Sequence, residues 1–505
     1  MKRWKNAIVV VCAIVMLAVP EVRAEIKLPH VISDHMVLQR DMALPIWGWA
    51  EPGEAVTVKL GKQTVQAKAD AKGKWMVKLA AMPAGGPLEM TVAGTNTITV
   101  KDILVGEVWV GSGQSNMAMS VAGCTDAKKD IAAAKFPNIR LFTCPRRPSG
   151  QPESDINAAW RVCSPGTVAY FSAAAYFFGR EIHKELKVPV GLVNTSWGGT
   201  RIEPWTPIEG FEAVPKLASH VKRVKDANAT YRKMLTERLG DMRAWVEDAA
   251  KALETGERIP NMPNVKHSLN SHGRETGLYN GMVAPLVPFA IRGALWYQGE
   301  ANRYDGMHYF EKMKGLIAGW RKVWGQGDFP FLFVQLAPYR YGGDPAALAR
   351  CWEGQTATLS VPNTGMAVTN DITTLGNIHP PNKQDVGKRL ALWALAKTYG
   401  KDGLVYSGPL YKSSKVEGNK IRISFDHVGS GLASRDGKPL NWFQIAGADK
   451  KFVDAQAKID GATVLVWSDQ VAKPAAVRLG WNQEAEPNLM NKEKLPASSF
   501  RTDKW

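Results

Sequence analysis

From about residue 106 to 403 the chain repeats one pattern: a short apolar run, a polar segment containing glycine, then a stretch with helical character. Glu107-Val-Trp-Val110 leads into Gly111-Ser-Gly-Gln-Ser-Asn116, and Val188-Pro-Val-Gly-Leu-Val193 leads into Asn194-Thr-Ser-Trp-Gly-Gly-Thr200. Ile291-Arg-Gly-Ala-Leu-Trp296 runs into Trp296-Tyr-Gln-Gly-Glu-Ala-Asn302. Phe329-Pro-Phe-Leu-Phe-Val334 is a further strand candidate, and Gln384 to Tyr399 reads as a helix. Strands covered on both faces appear as near-continuous apolar runs, and their alternation with helices predicts an α/β fold with a parallel sheet flanked by helices. The segments that follow such strands share one edge of the sheet, where sites are built.

The flanks have a different texture. Residues 25–105 carry short alternating runs (Ala55-Val-Thr-Val-Lys-Leu60, Lys74-Trp-Met-Val-Lys-Leu79) between the turn signals Pro52-Gly53, Lys72-Gly73 and Gly85-Gly-Pro87. That spacing predicts a small β-sandwich domain. Residues 404–505 are β-rich again, with Lys420-Ile-Arg-Ile-Ser-Phe425 and Ala462-Thr-Val-Leu-Val-Trp467. At about 210–262 an Ala-, Lys-, Glu- and Arg-rich stretch reads as an inserted helical pair. Its basic run, His220-Val-Lys-Arg-Val-Lys225, has acids on either side and reads as a solvated helix face.

Residues 1–24 form a basic head (Met1-Lys-Arg-Trp-Lys5), an uncharged run from Ala7 to Pro20, and small residues at Val22 and Ala24. This predicts a signal peptide cleaved after Ala24, and export to the periplasm or the extracellular space. The apolar run of about 14 residues falls short of the about 20 that span a bilayer, so no membrane span is expected in the mature protein.

With 45% hydrophobic and 22% charged residues the chain suits a globular protein. Its net charge of +17 raises nucleic acid as a partner, but the charge is scattered and no recognition motif accompanies it, so none is expected. Eighteen tryptophans suit sugar stacking as well as core packing. Past the leader, Cys124, Cys144, Cys163 and Cys351 show no paired CxxC spacing, so no zinc site is expected; either disulfides or buried free thiols fit them.

Ser115 stands just after a strand, at the edge where chemistry is placed. The surrounding glycines lack the third Gly of a dinucleotide fingerprint, and Met117 breaks the G-x-S-x-G elbow. A serine nucleophile needs a base. His379, in the polar loop Gly376-Asn-Ile-His-Pro-Pro-Asn-Lys383, is the histidine best placed to serve. His267 and His272, five apart, do not match a zinc helix motif. Donors to a developing oxyanion are offered by Asn194–Thr200 and Trp296–Asn302, the polar segments after two other strands.

Taken together, these segments resemble the SGNH-type carbohydrate esterases, and among them the sialate O-acetylesterase family. The resemblance rests on Gly113-Gln-Ser-Asn-Met117, Asn194-Thr-Ser-Trp-Gly-Gly199, Leu278-Tyr-Asn-Gly-Met-Val-Ala-Pro285 and Trp296-Tyr-Gln-Gly-Glu300 with Asn302. It continues through Ile378-His-Pro380, Asn382-Lys-Gln384, Arg478-Leu-Gly-Trp481 and Leu495-Pro-Ala-Ser-Ser-Phe-Arg-Thr-Asp503, and extends at the N-terminal side to Leu28-Pro29 and Ser33-Asp-His-Met-Val-Leu-Gln39. It implies an SGNH-hydrolase-like sheet, Ser115 as nucleophile and His379 as base. Gln298, Gly199 and the Ser115 N–H are the implied oxyanion donors, and Trp197, Glu300 and Asn302 the implied substrate contacts. No metal and no organic cofactor is called for. The implied substrate is an O-acetylated glycan, above all sialic acid; acetylated xylan, or a sugar-binding protein without catalysis, are the other readings. One position departs from the family pattern: the acid often found three residues before the histidine is Gly376 here, and Asn377 carries no charge. Asp371, another acid brought in by the fold, or a main-chain carbonyl then remain to orient the imidazole.

Overall fold

The computed structural model describes residues 25–505; the expected signal segment, 1–24, lies outside them. Seven strands make the central sheet: β1 (Thr97–Gly113), β2 (Phe136–Thr143), β3 (Trp160–Cys163), β4 (Val190–Asn194), β5 (Gly293–Tyr297), β6 (Phe331–Val334) and β7 (Thr364–Ala367). They lie in the order β7-β6-β5-β1-β4-β2-β3, and every neighbouring pair is parallel except β2 with the short edge strand β3. The predicted parallel sheet is therefore present. β4, β5, β6 and β7 are buried along almost their whole length, as the apolar runs require. Helices flank the sheet, among them α1 (Ser115–Ala118), α2 (Ala173–Leu186), α3 (Ala218–Thr255), α4 (His308–Trp324), α5 (Ala347–Ala357) and α6 (Lys383–Trp393). α2 and α6 approach so closely that a Cβ on Gly387 would lie 2.5 Å from Phe177 Cβ.

The strand order reverses around β1. After β4 joins one side of it, the chain crosses to place β5, β6 and β7 on the other. A crevice opens at such a switch point, beyond the carboxyl ends of the strands. Ser115 sits there, at the first position after β1 and the Gln114 link.

β1 also explains how the N-terminal β region is attached. Its first part, Thr97 to Val105, pairs antiparallel with Gly85–Ala93, and Leu104–Gly106 pairs parallel with Val37–Gln39. Its second part, Glu107–Gly113, pairs with β4 and β5. One strand thus runs through both sheets. The two regions share a single apolar core, which includes Ile46, Val58 and Met90 on one side and Trp109, Phe142 and Phe333 on the other. The C-terminal β region instead packs its own core around Ile423, Ile445, Val464, Val466, Val477 and Leu479.

At the handover between sheets Gly106 leaves no room for a side chain, since a Cβ would lie 2.0 Å from the Pro189 carbonyl oxygen. Glu107 beside it is fully buried and is held by Arg40, by Arg292 Nε at 2.7 Å and by Gln39 Nε2 at 3.1 Å.

The insertion differs from the expected helical pair. It is one 38-residue helix, α3, ended by Gly256 in a left-handed conformation (φ +73°). Nothing between Ala218 and Thr255 forces a break: there is no proline, and a single interior Gly240 costs only about 1 kcal/mol. The basic run at its start is matched by acids. Lys222 pairs with Asp226, Arg223 with Glu275 and Lys225 with Glu212, while His220 is buried against Phe211. No described helix is long and apolar enough to cross a membrane.

Removing one partner of a buried ion pair leaves an uncompensated charge and costs about 3–5 kcal/mol. Glu107→Gln is expected to lower the unfolding free energy by about that amount in urea denaturation, because Arg40 and Arg292 lose their shared anion.

Candidate active site

Ser115 is half-buried at the carboxyl edge of β1. Glycine makes that position reachable. Gly113 has φ +133°, and a Cβ on it would lie 2.2 Å from the Tyr297 carbonyl oxygen at the end of β5. Gln114 N–H donates to the same oxygen at 3.0 Å, fixing the turn into α1. From the other side, Trp197 N–H donates to the Gly113 carbonyl at 3.0 Å and brings the segment after β4 against the serine. A Cβ on Gly198 would sit 3.2 Å from Ser115 Cβ. Gly199 is exposed, with φ +74° and open space where a side chain would stand. The main-chain N–H groups of Ser115, Gly198 and Gly199 donate to no described protein acceptor, and the Ser115 hydroxyl is likewise unengaged.

His379 reaches the same edge from the loop before α6. That loop is tied to α1 by Asn116, the residue after the serine. Asn116 Nδ2 donates to the Ile378 carbonyl at 2.9 Å and to Glu300 Oε1 at 2.6 Å; its Oδ1 accepts from Lys383 Nζ at 2.8 Å. Lys383 Nζ also donates to the Pro380 carbonyl at 2.5 Å. The residues on both sides of His379 are therefore fixed by groups that touch the serine's helix. The imidazole itself, half-buried, has no described hydrogen-bond partner. Its pKa lies below the usual histidine value, first because of burial and second because of the nearby Lys383 charge. Burial likewise brings the Lys383 ammonium down to about 8 and pushes the Glu300 carboxyl up.

Several residues singled out in the sequence take other positions. Asp371 does not meet His379; its two carboxylate oxygens accept from Arg389 Nη1 and Nη2, each at 2.6 Å. No described acid contacts the imidazole, so the expected third member is not assembled. Gln298 is fully buried, and its Nε2 donates to the Thr200 carbonyl at 3.0 Å and to Asn302 Oδ1 at 2.8 Å. With both amide hydrogens engaged, it has no free donor for an oxyanion. It braces the Trp197–Thr200 segment instead. Gln114, not singled out, accepts weakly from Gly299 and Ala301 N–H through Oε1 and leaves its Nε2 without a protein acceptor.

Glu300 and Asn302 are also interior. Asn302 is the hub of a buried charge cluster: its Nδ2 donates to Glu203 and Asp305, whose carboxylates pair with Lys312 at 2.7 and 2.6 Å and with Arg201. Burial would raise the Glu203 carboxyl, but Lys312 and Arg201 outweigh it and bring the pKa down to about 2. Trp197 is half-buried, its indole stacked on His272 with centroids 5.3 Å apart. His267 is buried and hydrogen-bonded to Asn228, away from any metal-like cluster; among the described residues no group of His, Cys, Asp or Glu is arranged to hold a metal ion. All four described cysteines are free and buried.

Comparison with known proteins fits this arrangement. The family model for carbohydrate esterase, sialic acid-specific acetylesterase, matches residues 266–396, the stretch from Lys266 through β5 and His379 into α6. The sialate O-acetylesterase of Rattus norvegicus is 33% identical over 426 residues, covering 76% of each chain. That of Homo sapiens is 30% identical over 431 residues, covering 77% of this chain and 74% of the human one. The chain belongs to the sialate O-acetylesterase family. The crystal structure of a carbohydrate acetylesterase from Xanthomonas citri superposes with a TM-score of 0.81 at 38% identity, covering 95% of this chain and all of that one. The chain is thus an esterase with a carbohydrate-acetylesterase fold.

Asn116 and Lys383 are the site residues that sequence reasoning left unassigned, although both stand inside the family motifs. Their signal was position: Asn116 adjoins Ser115, and Lys383 follows His379 by four residues with a side chain long enough to reach back to the Pro380 carbonyl beside it. Because Lys383 helps hold the imidazole neutral, Lys383→Met is expected to raise the His379 pKa part of the way back toward the usual value, burial still holding it below. An NMR titration of the His379 ring checks this, and an unmoved midpoint rejects it.

Proposed function

We propose that this protein is an exported carbohydrate O-acetylesterase that removes acetyl groups from O-acetylated sialic acid through an acyl-enzyme on Ser115. The observation that carries the reading is an unengaged serine hydroxyl with Gly198 packed against it, where the main-chain N–H groups of Ser115, Gly198 and the adjoining Gly199 have no protein acceptor. Donors of this kind stabilise the oxyanion of a tetrahedral intermediate, and removing one such donor slows acyl transfer by about 10²–10³.

In this mechanism neutral His379 takes the Ser115 proton as Oγ attacks the acetyl carbonyl. The carbonyl oxygen becomes the oxyanion and is received by the N–H groups. As the intermediate collapses, the sugar oxygen leaves with the proton from His379. A water, deprotonated by the same imidazole, then attacks the acyl-serine; acetate departs and Ser115 recovers its proton. A Ser–His dyad suffices, since Asp371 is engaged with Arg389 and the His379 loop is fixed by Asn116 and Lys383. An apo serine and histidine without a mutual hydrogen bond are compatible with this, because such contacts tighten when substrate binds. Export is supported by the composition of residues 1–24. The sialic acid substrate is supported by family membership and by an unpaired cation, Arg303, near the edge of the site.

Ser115→Ala is expected to lower kcat for p-nitrophenyl acetate by at least about a thousandfold with the circular dichroism spectrum unchanged; retained activity rejects the nucleophile. Acetate release should favour O-acetylated sialic acid over acetylated xylan, and the reverse preference would assign a plant polysaccharide instead. Since the lowered His379 pKa keeps the imidazole neutral further into acid, the acidic limb of kcat/KM is expected below pH 6.5, the ordinary histidine value.

A further inference from the structure

Arg303 lies in the turn Glu300–Asp305 that follows β5, on the same sheet edge as Ser115. No ion pair reaches its guanidinium among the described residues. The acids of its own turn are held elsewhere: Glu300 by Asn116, and Asp305 by Lys312 and Arg201. Arg303 is nevertheless fixed in place. Its Cζ lies 4.3 Å from the centre of the Tyr304 ring and 4.7 Å from that of Tyr341. Nη1 donates to the Glu300 carbonyl at 3.4 Å and Nη2 to the Tyr304 hydroxyl at 3.2 Å, while Nε is buried without an acceptor.

The second wall of this clamp connects to the histidine. Tyr341 belongs to the loop after β6, where Arg340 N–H donates to the Leu375 carbonyl at 3.1 Å and Pro338 O accepts from the Thr373 hydroxyl at 2.5 Å. The guanidinium is therefore held between the turn that carries Glu300 and the loop that leads to His379. Tyr304 beside it is 59% exposed. A partly buried cation without a counter-ion is unfavourable unless a ligand supplies the charge. A stacked, planar fork with outer hydrogens still free is shaped to receive a carboxylate through two parallel bonds.

We propose that Arg303 is the receptor for the carboxylate of an acidic O-acetylated sugar, with the exposed Tyr304 as the surface on which the sugar lies. A neutral polysaccharide offers this cation nothing. The proposal rests on acyl transfer at Ser115, and it adds the group that selects among acetylated sugars.

The test compares kcat/KM for O-acetylated sialic acid with that for its methyl ester, which lacks the negative charge. The wild type should prefer the acid. Arg303→Gln should reduce the acid-to-ester ratio roughly 10- to 100-fold, the range for hydrogen bonds to a charged group. Arg303→Lys should restore part of it, keeping the charge but losing the fork. If Arg303 only braces Tyr304 against Tyr341, both substrates slow alike and the ratio stays put, which overturns the proposal. Ser115→Ala, assayed alongside, separates the two ideas: continued hydrolysis there rejects the serine mechanism, whereas an inactive Ser115→Ala with an unmoved Arg303→Gln ratio rejects Arg303 alone.

Discussion

One carboxamide holds the site together. Asn116 offers a donor pair and an acceptor, and all are used: Glu300 and Ile378 receive its hydrogens, and Lys383 donates to its oxygen. These partners come from two distant stretches of chain, one after β5 and one running from the loop that carries His379 into the start of α6. The amide thereby converts long-range topology into local geometry around Ser115. An amide suits the place because it satisfies a buried anion and a buried cation at once, which neither a carboxylate nor an ammonium does.

Burial on this scale changes what the ionisable groups can do. Glu300 and Lys383 lie in the same interior, so desolvation pushes both toward their neutral forms, the carboxyl up and the ammonium down to about 8. A few residues away the balance reverses. Glu203 is as interior, but two cations face it directly and keep it ionised. The difference is one of pairing rather than depth: Glu203 meets Lys312 and Arg201, whereas Glu300 meets a neutral amide. The charged cluster around Asn302 braces the Gln298–Thr200 contact from behind, so the segment facing Ser115 rests on a rigid base.

Much of this was legible in the sequence. Apolar runs followed by glycine-containing polar segments located the sheet edge, because burial on both faces and close main-chain approach leave clear traces in residue type. Ser115, Gly198-Gly199 and the His379 loop do converge on that edge. What stayed illegible were choices of partner. Asp371 was the one acid named as a partner for His379, yet Arg389, nearly two turns into α6, binds it with two hydrogen bonds. Gln298 had the right chemistry for an oxyanion donor, but which acceptors its hydrogens find depends on Thr200 and Asn302, contacts between segments that no local pattern records. The inserted segment was read as two helices for a related reason: helix length is set by the absence of a stop, and an absence is easily overlooked.

The four buried, unpaired cysteines have a consequence for where this fold can be made. Burial drives the Cys124 thiol up to about 11 and the Cys163 thiol up to about 12, so very little thiolate exists to exchange or oxidise. No covalent crosslink joins the described segments, and the shared core, the continuous strand and the Glu107 clamp hold the N-terminal region without one. Nothing that holds the described fold together therefore depends on thiol oxidation. With no disulfide among the described residues to close, this architecture is compatible with a reducing as well as an oxidising medium.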